Sequence, residues 1–585
     1  MFNLKSNFGT LFWRRVFKIL IVECAYLNKH RTIKKIKLNI MKVINMFILL
    51  FTFSTIFTQE AKREIRITKK YLNIPIQSLQ ERELMTFETG GEKVREFVIR
   101  LNKDRPDYWV FSDVSDLMGE TIIITYPEKV KGIMEIYQSD HIVLADSVYK
   151  ETNRPQFHFT TIRGWNNDPN GLVYYDGEYH LFYQHNPYEI EWQNMHWGHA
   201  VSKDLIHWQE LPDALYPDEL GMMFSGSAAV DFYNTSGFQA GEEKPIIAAY
   251  TVNSSEKQVQ CIAYSNDRGR TFIKYDDNPV IDSKEKWNSS DTRDPKIFWH
   301  EDSKKWVMIL FEKDGHSFYN SDDLKSWTYQ SHIGGFWECP ELFQLQVDGN
   351  KYDKKWVIYG ASGTYMIGEF DGQKFNPESE KLNYLSGKMY AAQTYNNIPE
   401  PGRRRIQIGW GQITHPGMPF NQMMTFPTEL TLRSTRNGIR LCSEPIKEIE
   451  ILHKKSYYWS NLSKDEANAK LKSAEGDLFH IKMKVKLLDQ VEFRFMMNGN
   501  SIASYNFNHN LLNGTFYGGD QIEDMTISLE LLIDRTSVEI FADNGRFTII
   551  ESLPEQKNNN GFEFEIEGSE INIHNMEVHE LKTIW

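Results

Sequence analysis

Between residues 155 and about 440 the chain repeats itself loosely, and this restricts the possible folds more than any other feature. Ser202-Lys203-Asp204-Leu205-Ile206-His207-Trp208 returns as Ser321-Asp322-Asp323-Leu324-Lys325-Ser326-Trp327. Ser265-Asn266-Asp267-Arg268-Gly269-Arg270-Thr271-Phe272 is a third version, and Glu369-Phe370-Asp371-Gly372-Gln373-Lys374-Phe375 a weaker fourth. Short aromatic and β-branched runs precede them, joined by tight turns such as Asp176-Gly177 in Tyr175–Tyr183. Units of roughly 40 to 60 residues, each a small antiparallel sheet, close into a β-propeller. About 285 residues at this spacing give roughly five blades. The repeated acids Asp204, Asp267 and Asp323 then cap turns, and the Trp packs between blades. A propeller also points one end of every innermost strand at a shared axial pocket, so residues far apart in sequence can meet there.

The rest of the chain divides around this repeat. Residues 1–40 carry nine Lys or Arg against one acid, Glu23. Met41 then opens a basic start, followed by the uncharged run Phe47 to Phe57 and a polar exit at Thr58-Gln59-Glu60. This pattern reads as a secretory signal peptide starting at Met41, within a leader of residues 1–60, and predicts an exported protein, periplasmic or extracellular. The run is too short for a comfortable membrane span, so no stable span is expected once the leader is removed; a retained N-terminal anchor is the alternative. Residues 61–150 alternate in short strand-like runs (Glu96–Leu101, Tyr108–Phe111, Thr121–Tyr126) and read as a small N-terminal β module with a packing role. Arg440 to Lys455 reads as a connector, and short alternating strands resume from about 456. The net charge of −13 argues against a nucleic-acid partner, which would need a basic surface. Cys24, Cys261, Cys339 and Cys442 show no paired spacing, so neither disulfides nor a zinc site is expected. His185, His196, His199 and His207 cluster without a tight metal spacing and read as structural.

Three acidic stretches carry the chemistry. Trp165-Asn166-Asn167-Asp168-Pro169-Asn170-Gly171 places Asp168 at what reads as a sharp chain reversal. Thr292-Arg293-Asp294-Pro295 and Trp337-Glu338-Cys339-Pro340-Glu341 lie two and three repeats later, each before an aromatic strand. Equivalent positions in successive blades would bring the three carboxylates to one funnel. Two carboxylates flanking a glycosidic bond are the minimum for glycoside hydrolysis, one at the anomeric carbon and one protonating the leaving oxygen. Arg293 beside Asp294 is expected to keep that acid ionised. Glu338, between Trp337 and Cys339, is expected in the least polar surroundings, while Glu341 remains its rival on residue type alone. Cys339 has no His partner in view to make it a nucleophile. Aromatics make up 14% of the chain, and those near the motifs (Trp165, Trp192, Trp197, Phe224, Trp337) suit stacking on sugar faces.

The stretches WNNDPNG, FYQHNP, MHWGHAVSKDLIHW, FSGS, TRDPK and WECPEL resemble, in order, those of glycoside hydrolase family 32, the invertase, inulinase and levanase group acting on β-fructofuranosides. The resemblance implies an all-β fold: a five-bladed propeller at 151–445 followed by a C-terminal β-sandwich at 446–585 that packs against it. It implies a retaining double displacement on a fructan or sucrose substrate; neither a cofactor nor a metal is expected. By motif position Asp168 would be the nucleophile, Glu338 the acid/base and Asp294 the transition-state stabiliser. Asn167, Gln184, Trp192, Phe224, Ser225 and Arg293 fall where the family contacts the fructosyl unit, with Trp410 in Ile408-Gly409-Trp410-Gly411 a weaker match. The acids Asp534, Glu539 and Asp543, in a stretch resembling the family's sandwich signature, read as turn and surface residues. Asn166 departs from the family's usual Met. Leu382–Tyr390 lacks an acid many members carry, which leaves substrate contacts on that blade open. A fructosyltransferase and a non-catalytic fructan-binding protein are the alternatives to a hydrolase. A monomer is expected, with a dimer as the other option.

Overall fold

The computed structural model describes residues 60–399, 404–488, 492–516, 525–554, 564–568 and 571–585. The proposed leader, residues 1–60, lies outside them except for its last residue. No helix among the described residues is long and apolar enough to cross a membrane.

Five four-stranded antiparallel units form a propeller, the last two joined into one sheet by a parallel bridge between Val347 and Leu432. Blade I is Gly164–Tyr175, Glu178–Asn186, His196–Ser202 and Trp208–Leu215; blade II is Met222–Val230, Ile246–Asn253, Gln258–Ser265 and Ile273–Lys274. Blade III is Thr292–His300, Lys305–Glu312, Gly315–Ser321 and Thr328–Gly334; blade IV is Glu341–Val347, Asn350–Tyr359, Thr364–Phe370 and Phe375–Pro377. Blade V is Met389–Thr394, Arg405–Gly411, Thr428–Thr435 and Gly438–Pro445. Arg440 to Pro445, expected as connector, is therefore the outer strand of the last blade. Its alternation is weak because both faces are buried at its centre, at Leu441, Cys442 and Ser443.

Each blade is buried on both faces. Ala248 packs toward blade I beside Phe182 and Trp197, and its neighbour Ala249 packs toward blade III beside Trp306 and Met308. Val307 turns the other way, toward Leu342 and Ile358 of blade IV. This period-two division explains why inner strands read as unbroken apolar runs rather than alternating ones. Leu172 and Leu181 of blade I share a core with Ile406 and Ile408 of blade V, which closes the ring. The Asp176-Gly177 turn has φ of 46° and 87°, the left-handed pair that a two-residue hairpin needs.

The repeated Ser-x-Asp element is structural, as expected. The Ser202, Ser265 and Ser321 hydroxyls donate to Asp204, Asp267 and Asp323 at 3.0, 2.7 and 3.0 Å. The next residue is left-handed each time: Leu205, Arg268 and Leu324 have φ of 65°, 60° and 64°.

The N-terminal module has one sheet of Ala61–Arg66, Thr121–Tyr126, Glu83–Thr89 and Glu92–Ile99, and another of Tyr108–Asp113, Tyr71–Ile76 and Tyr137–Ser139. The C-terminal part is a sandwich. One sheet joins His453–Ser463, Ile571–Leu581, Phe479–Leu487, Thr526–Ile533, Ser537–Ala542 and Phe547–Ser552; the other includes Glu492–Met497, Asn500–Asn506 and Phe564–Glu567. Leu385–Gly387, in the stretch between blades IV and V, pairs in parallel with Phe547–Ser552 and welds the sandwich to the propeller.

Two of the acids expected at the sandwich surface are buried at this junction. Asp534 accepts from the backbone N–H of Gln156 (2.8 Å) and Phe157 (3.0 Å) and from His158 Nδ1 (2.9 Å). Glu539 accepts from the backbone N–H of Phe426 (2.9 Å) and lies 3.2 Å from His158 Nε2. An isolated acid in a strand pattern reads as exposed because its partner lies some 380 residues away. Asp543 is a turn residue, with φ of 46°.

Candidate active site

Bulges build the site. Asp168 lies within the long strand Gly164–Tyr175 rather than at the chain reversal expected from Asp-Pro-Asn-Gly. The pairing shifts between Asn166 and Pro169 and again between Asn170 and Val173. Pro169 cannot donate to the ladder, and Gly171 takes a φ of 55°, so the turn-forming residues distort the strand instead of ending it. Comparable shifts occur between Phe224 and Gly226, between Arg293 and Lys296, and between Tyr390 and Gln393. The innermost strands of blades I, II, III and V thus all bulge, and a bulge re-aims the side chains at its crest. On blade IV the loop before the strand serves instead. Glu338 and Cys339 have φ of 29° and 43°, and Asp294 across the funnel has 64°. Left-handed backbone at non-glycine residues costs of order 1–3 kcal/mol each and persists only where surroundings enforce it.

Asp168, Asp294 and Glu338 meet on one small group of atoms. The Cys339 sulfur lies 3.8 Å from Asp168 Oδ2 and 3.5 Å from Asp294 Oδ2, and its backbone N–H donates to Asp294 Oδ2 at 3.1 Å. Burial and the three neighbouring acids push the Cys339 thiol well above its usual range, so it is a protonated donor and not a thiolate nucleophile. Ser225 Oγ donates to Asp168 Oδ2 at 2.7 Å, and Asn167 Nδ2 to Oδ1 at 3.2 Å. Trp165 Nε1 fixes Asn167 in turn, at 2.8 Å.

Asp168 keeps part of its surface open to the funnel, but dense packing beneath raises its pKa to about 6, against the hydrogen bonds from Ser225 and Asn167. Asp294 is pushed up to about 7: burial outweighs Arg293, and the charges of Glu338 and Asp168 add to the rise. Arg293 therefore does not hold Asp294 in the ordinary carboxylate range. Its guanidinium turns to Glu338 Oε1 (Nη2 at 2.6 Å, Nε at 3.1 Å) and to Asp291 (2.6 Å). Nor is Glu338 in apolar surroundings, since the Tyr390 hydroxyl donates to its other oxygen at 2.7 Å. This contact of Tyr390 with Glu338 is one that sequence reading did not anticipate. Tyr390 lies in the stretch singled out only for lacking an acid.

Glu341, three residues on, is shut away from the funnel. Its side chain is 1% exposed, lies 2.7 Å from Lys296 Nζ and accepts from Thr394 Oγ1 at 2.5 Å. The other expected residues surround the acids. Gln184 Nε2 donates to the Met223 carbonyl (3.0 Å), beside Phe224. Trp192 is 43% exposed and meets Phe224 edge-on, with ring centroids 5.9 Å apart. Trp410 lies edge-on to Tyr390 (6.2 Å) and Trp165 (6.0 Å) and donates to Gln422. The four histidines have separate partners: His185 faces Asp213, His196 the Asn194 carbonyl, His199 faces His180, and His207 faces Asp204.

This arrangement of acids, donors and aromatics suits polar substrates with many hydroxyls, and comparison with known proteins agrees. The family model "Glycosyl hydrolases family 32 N-terminal domain" matches residues 158–445, and "Glycosyl hydrolases family 32 C terminal" matches 448–580. The chain is 40% identical over 489 residues to a levanase of Bacillus subtilis, covering 75% of this chain and 72% of that one. It is 32% identical over 489 residues to an extracellular exo-inulinase of Aspergillus niger, covering 69% and 90%. The crystal structure of exo-inulinase from Aspergillus awamori superimposes with a TM-score of 0.65 at 28% identity, over 75% of this chain and 100% of the other. A β-fructofuranosidase from Schwanniomyces occidentalis, solved with fructosyl-erythritol, gives 0.64 at 26%, over 74% and 99%. The chain belongs to glycoside hydrolase family 32.

Proposed function

We propose that this protein is an exported β-fructosidase that hydrolyses β-fructofuranosidic bonds in levan, inulin or sucrose with retention of configuration. The observation that carries the reading is the convergence of Asp168, Asp294 and Glu338 around Cys339, from three blades, in a funnel edged by Trp192, Phe224 and Trp410. Relatives named levanase, exo-inulinase and invertase support the substrate class, and the relatives named extracellular support export, together with the leader pattern.

In the first step Glu338 gives its proton to the glycosidic oxygen while Asp168 attacks the anomeric carbon. The bond to the leaving sugar breaks and a covalent fructosyl-enzyme forms. In the second step Glu338 takes a proton from water, the water oxygen attacks the same carbon, and Asp168 is released. Asp294 accepts hydrogen bonds from sugar hydroxyls as positive charge develops on the ring. Arg293 and Tyr390 fix both oxygens of Glu338, and Ser225 and Asn167 fix those of Asp168, so both groups are oriented before substrate arrives. Burial of Glu341 against Lys296 favours Glu338 as the acid/base.

The test is incubation with sucrose, inulin and levan, with chromatography of the products. Free fructose is expected, and Asp168→Asn should lower its release by at least about a thousandfold with the fold intact. Turnover retained in that variant would refute the assignment.

A further inference from the structure

The segment Tyr188–Asn194 carries Trp192 to the funnel, and the N-terminal module grips it. Phe97 lies flat on Tyr188, with ring centroids 3.7 Å apart and planes at 10°. At the other end the Asn194 amide pairs with the Val98 backbone twice, accepting from its N–H and donating to its carbonyl, both at 2.9 Å. Between these anchors two arginines hold two acids. Arg82 reaches Glu189 at 2.7 Å and Glu191 at 2.9 Å; Arg100 reaches them at 3.1 and 2.9 Å, and its backbone N–H donates to Glu189 at 2.8 Å. The Glu189 side chain is fully buried, and a buried carboxylate is tolerable only with such partners. On the propeller side the segment is tied mostly through its backbone: the Asn186 and Asn421 amides donate to the Glu191 and Ile190 carbonyls.

Trp192 follows Glu191 directly. It meets Phe224, whose neighbour Ser225 donates to Asp168. The segment has no strand pairing of its own, so the arginine–acid bonds, together with the Asn186 and Asn421 amides, set where the indole stands. Both arginines lie outside the residues that the family models match, 158–445 and 448–580.

We propose that the N-terminal module is a positioning element for substrate binding. Arg82 and Arg100, acting through Glu189 and Glu191, hold Trp192 against the sugar and so set the affinity of the funnel. This rests on the reading of Trp192 as a sugar contact. Pre-placing an aromatic wall spares the substrate the entropy of ordering it, so loosening the clamp weakens binding while the acids stay in place.

The test is a double-mutant cycle on the full-length enzyme with sucrose and levan. Arg82→Gln with Arg100→Gln should raise KM about three- to tenfold and change kcat by less than about twofold. Trp192→Ala should raise KM as well, and the combined variant should be no worse than Trp192→Ala alone. Full additivity, or an unchanged KM in the arginine variant, overturns the proposal. So does an unchanged KM in Trp192→Ala, which would leave the three-acid site standing; failure of that site would instead appear as turnover by Asp168→Asn. Glu191→Gln covers loss of fold in the arginine variant. Its side chain is 52% exposed, the change removes one charge at constant shape, and KM should rise about two- to threefold. An unchanged KM there also overturns the proposal.

Discussion

At the scale of single residues, the site depends on carboxylates that are hard to ionise. Burial raises Asp168 to about 6 and Asp294 to about 7. A nucleophile must be ionised, and the ionised form dominates only above the pKa. The acid limb of kcat/KM against pH should therefore fall near pH 6 to 7, above the range of an exposed Asp. Ser225 lowers the Asp168 value by donating to it, so Ser225→Ala should move this limb to higher pH. A limb near pH 4, or one that Ser225→Ala leaves in place, would contradict the account. The three acids were legible in the sequence because each stands just before a proline-locked segment and close to an aromatic or an Arg. Their electrostatics were not. Arg293 adjoins Asp294 in the chain, yet strand geometry sends its guanidinium to Glu338. Residue type left Glu338 and Glu341 equivalent, and burial separates them.

At the scale of elements, the bulges decide the site. The Ser-x-Asp repeats and the Asp-Gly hairpin were legible because they are local: each needs only a few consecutive residues to set its backbone. The bulges were not, because Pro and Asn-Gly end strands as readily as they distort them, and only cross-strand pairing separates the two outcomes. Blade II gives a direct test. A Cβ on Gly226, beside the Phe224–Gly226 shift, would lie 2.0 Å from the Ala249 carbonyl oxygen and 2.7 Å from Tyr250 Cα. Backbone cannot yield cheaply there. Gly226→Ala should displace Ser225, cost about 1–3 kcal/mol of stability and lower kcat/KM at least about tenfold. A melting temperature and activity matching the parent enzyme would show that the bulge tolerates a side chain and that the proposed constraint is absent.

At the scale of the whole molecule, a buried charge cluster joins propeller and sandwich. Burial alone would lower the His158 pKa, but Asp534 and Glu539 reverse this and raise it to about 9. For Asp534, burial opposes ionisation, and His158 with the Phe157 and Gln156 N–H groups overcomes it, so its pKa is lowered. A raised histidine value contributes stability that is fully present below the unfolded pKa of about 6.5 and is lost as pH climbs through about 9. The Asp534 contribution runs oppositely: present above the unfolded carboxylate pKa near 4, lost as pH falls below it. Replacing His158 with Leu leaves two buried acids without a counter-charge, held by backbone N–H groups alone, and should cost about 3–5 kcal/mol at neutral pH. Denaturant melts from pH 6 to 10 should also lose part of the alkaline decline seen in the parent. Equal stability at every pH would remove the cluster from the account. At this scale the propeller was legible through its repeats, and the sandwich acids were not, because their meaning depends on a histidine some 380 residues earlier in the chain.

The central claim is that Asp168 bonds to the sugar. Glu338→Gln, given a fructoside whose leaving group needs no protonation, should accumulate the covalent intermediate, because no base remains to activate water. Rapid acid quench and peptide mass spectrometry should then find one anhydrofructose unit on the peptide that carries Asp168. Release of the leaving group with no adduct on that peptide, or with the sugar on another acid, would contradict the account.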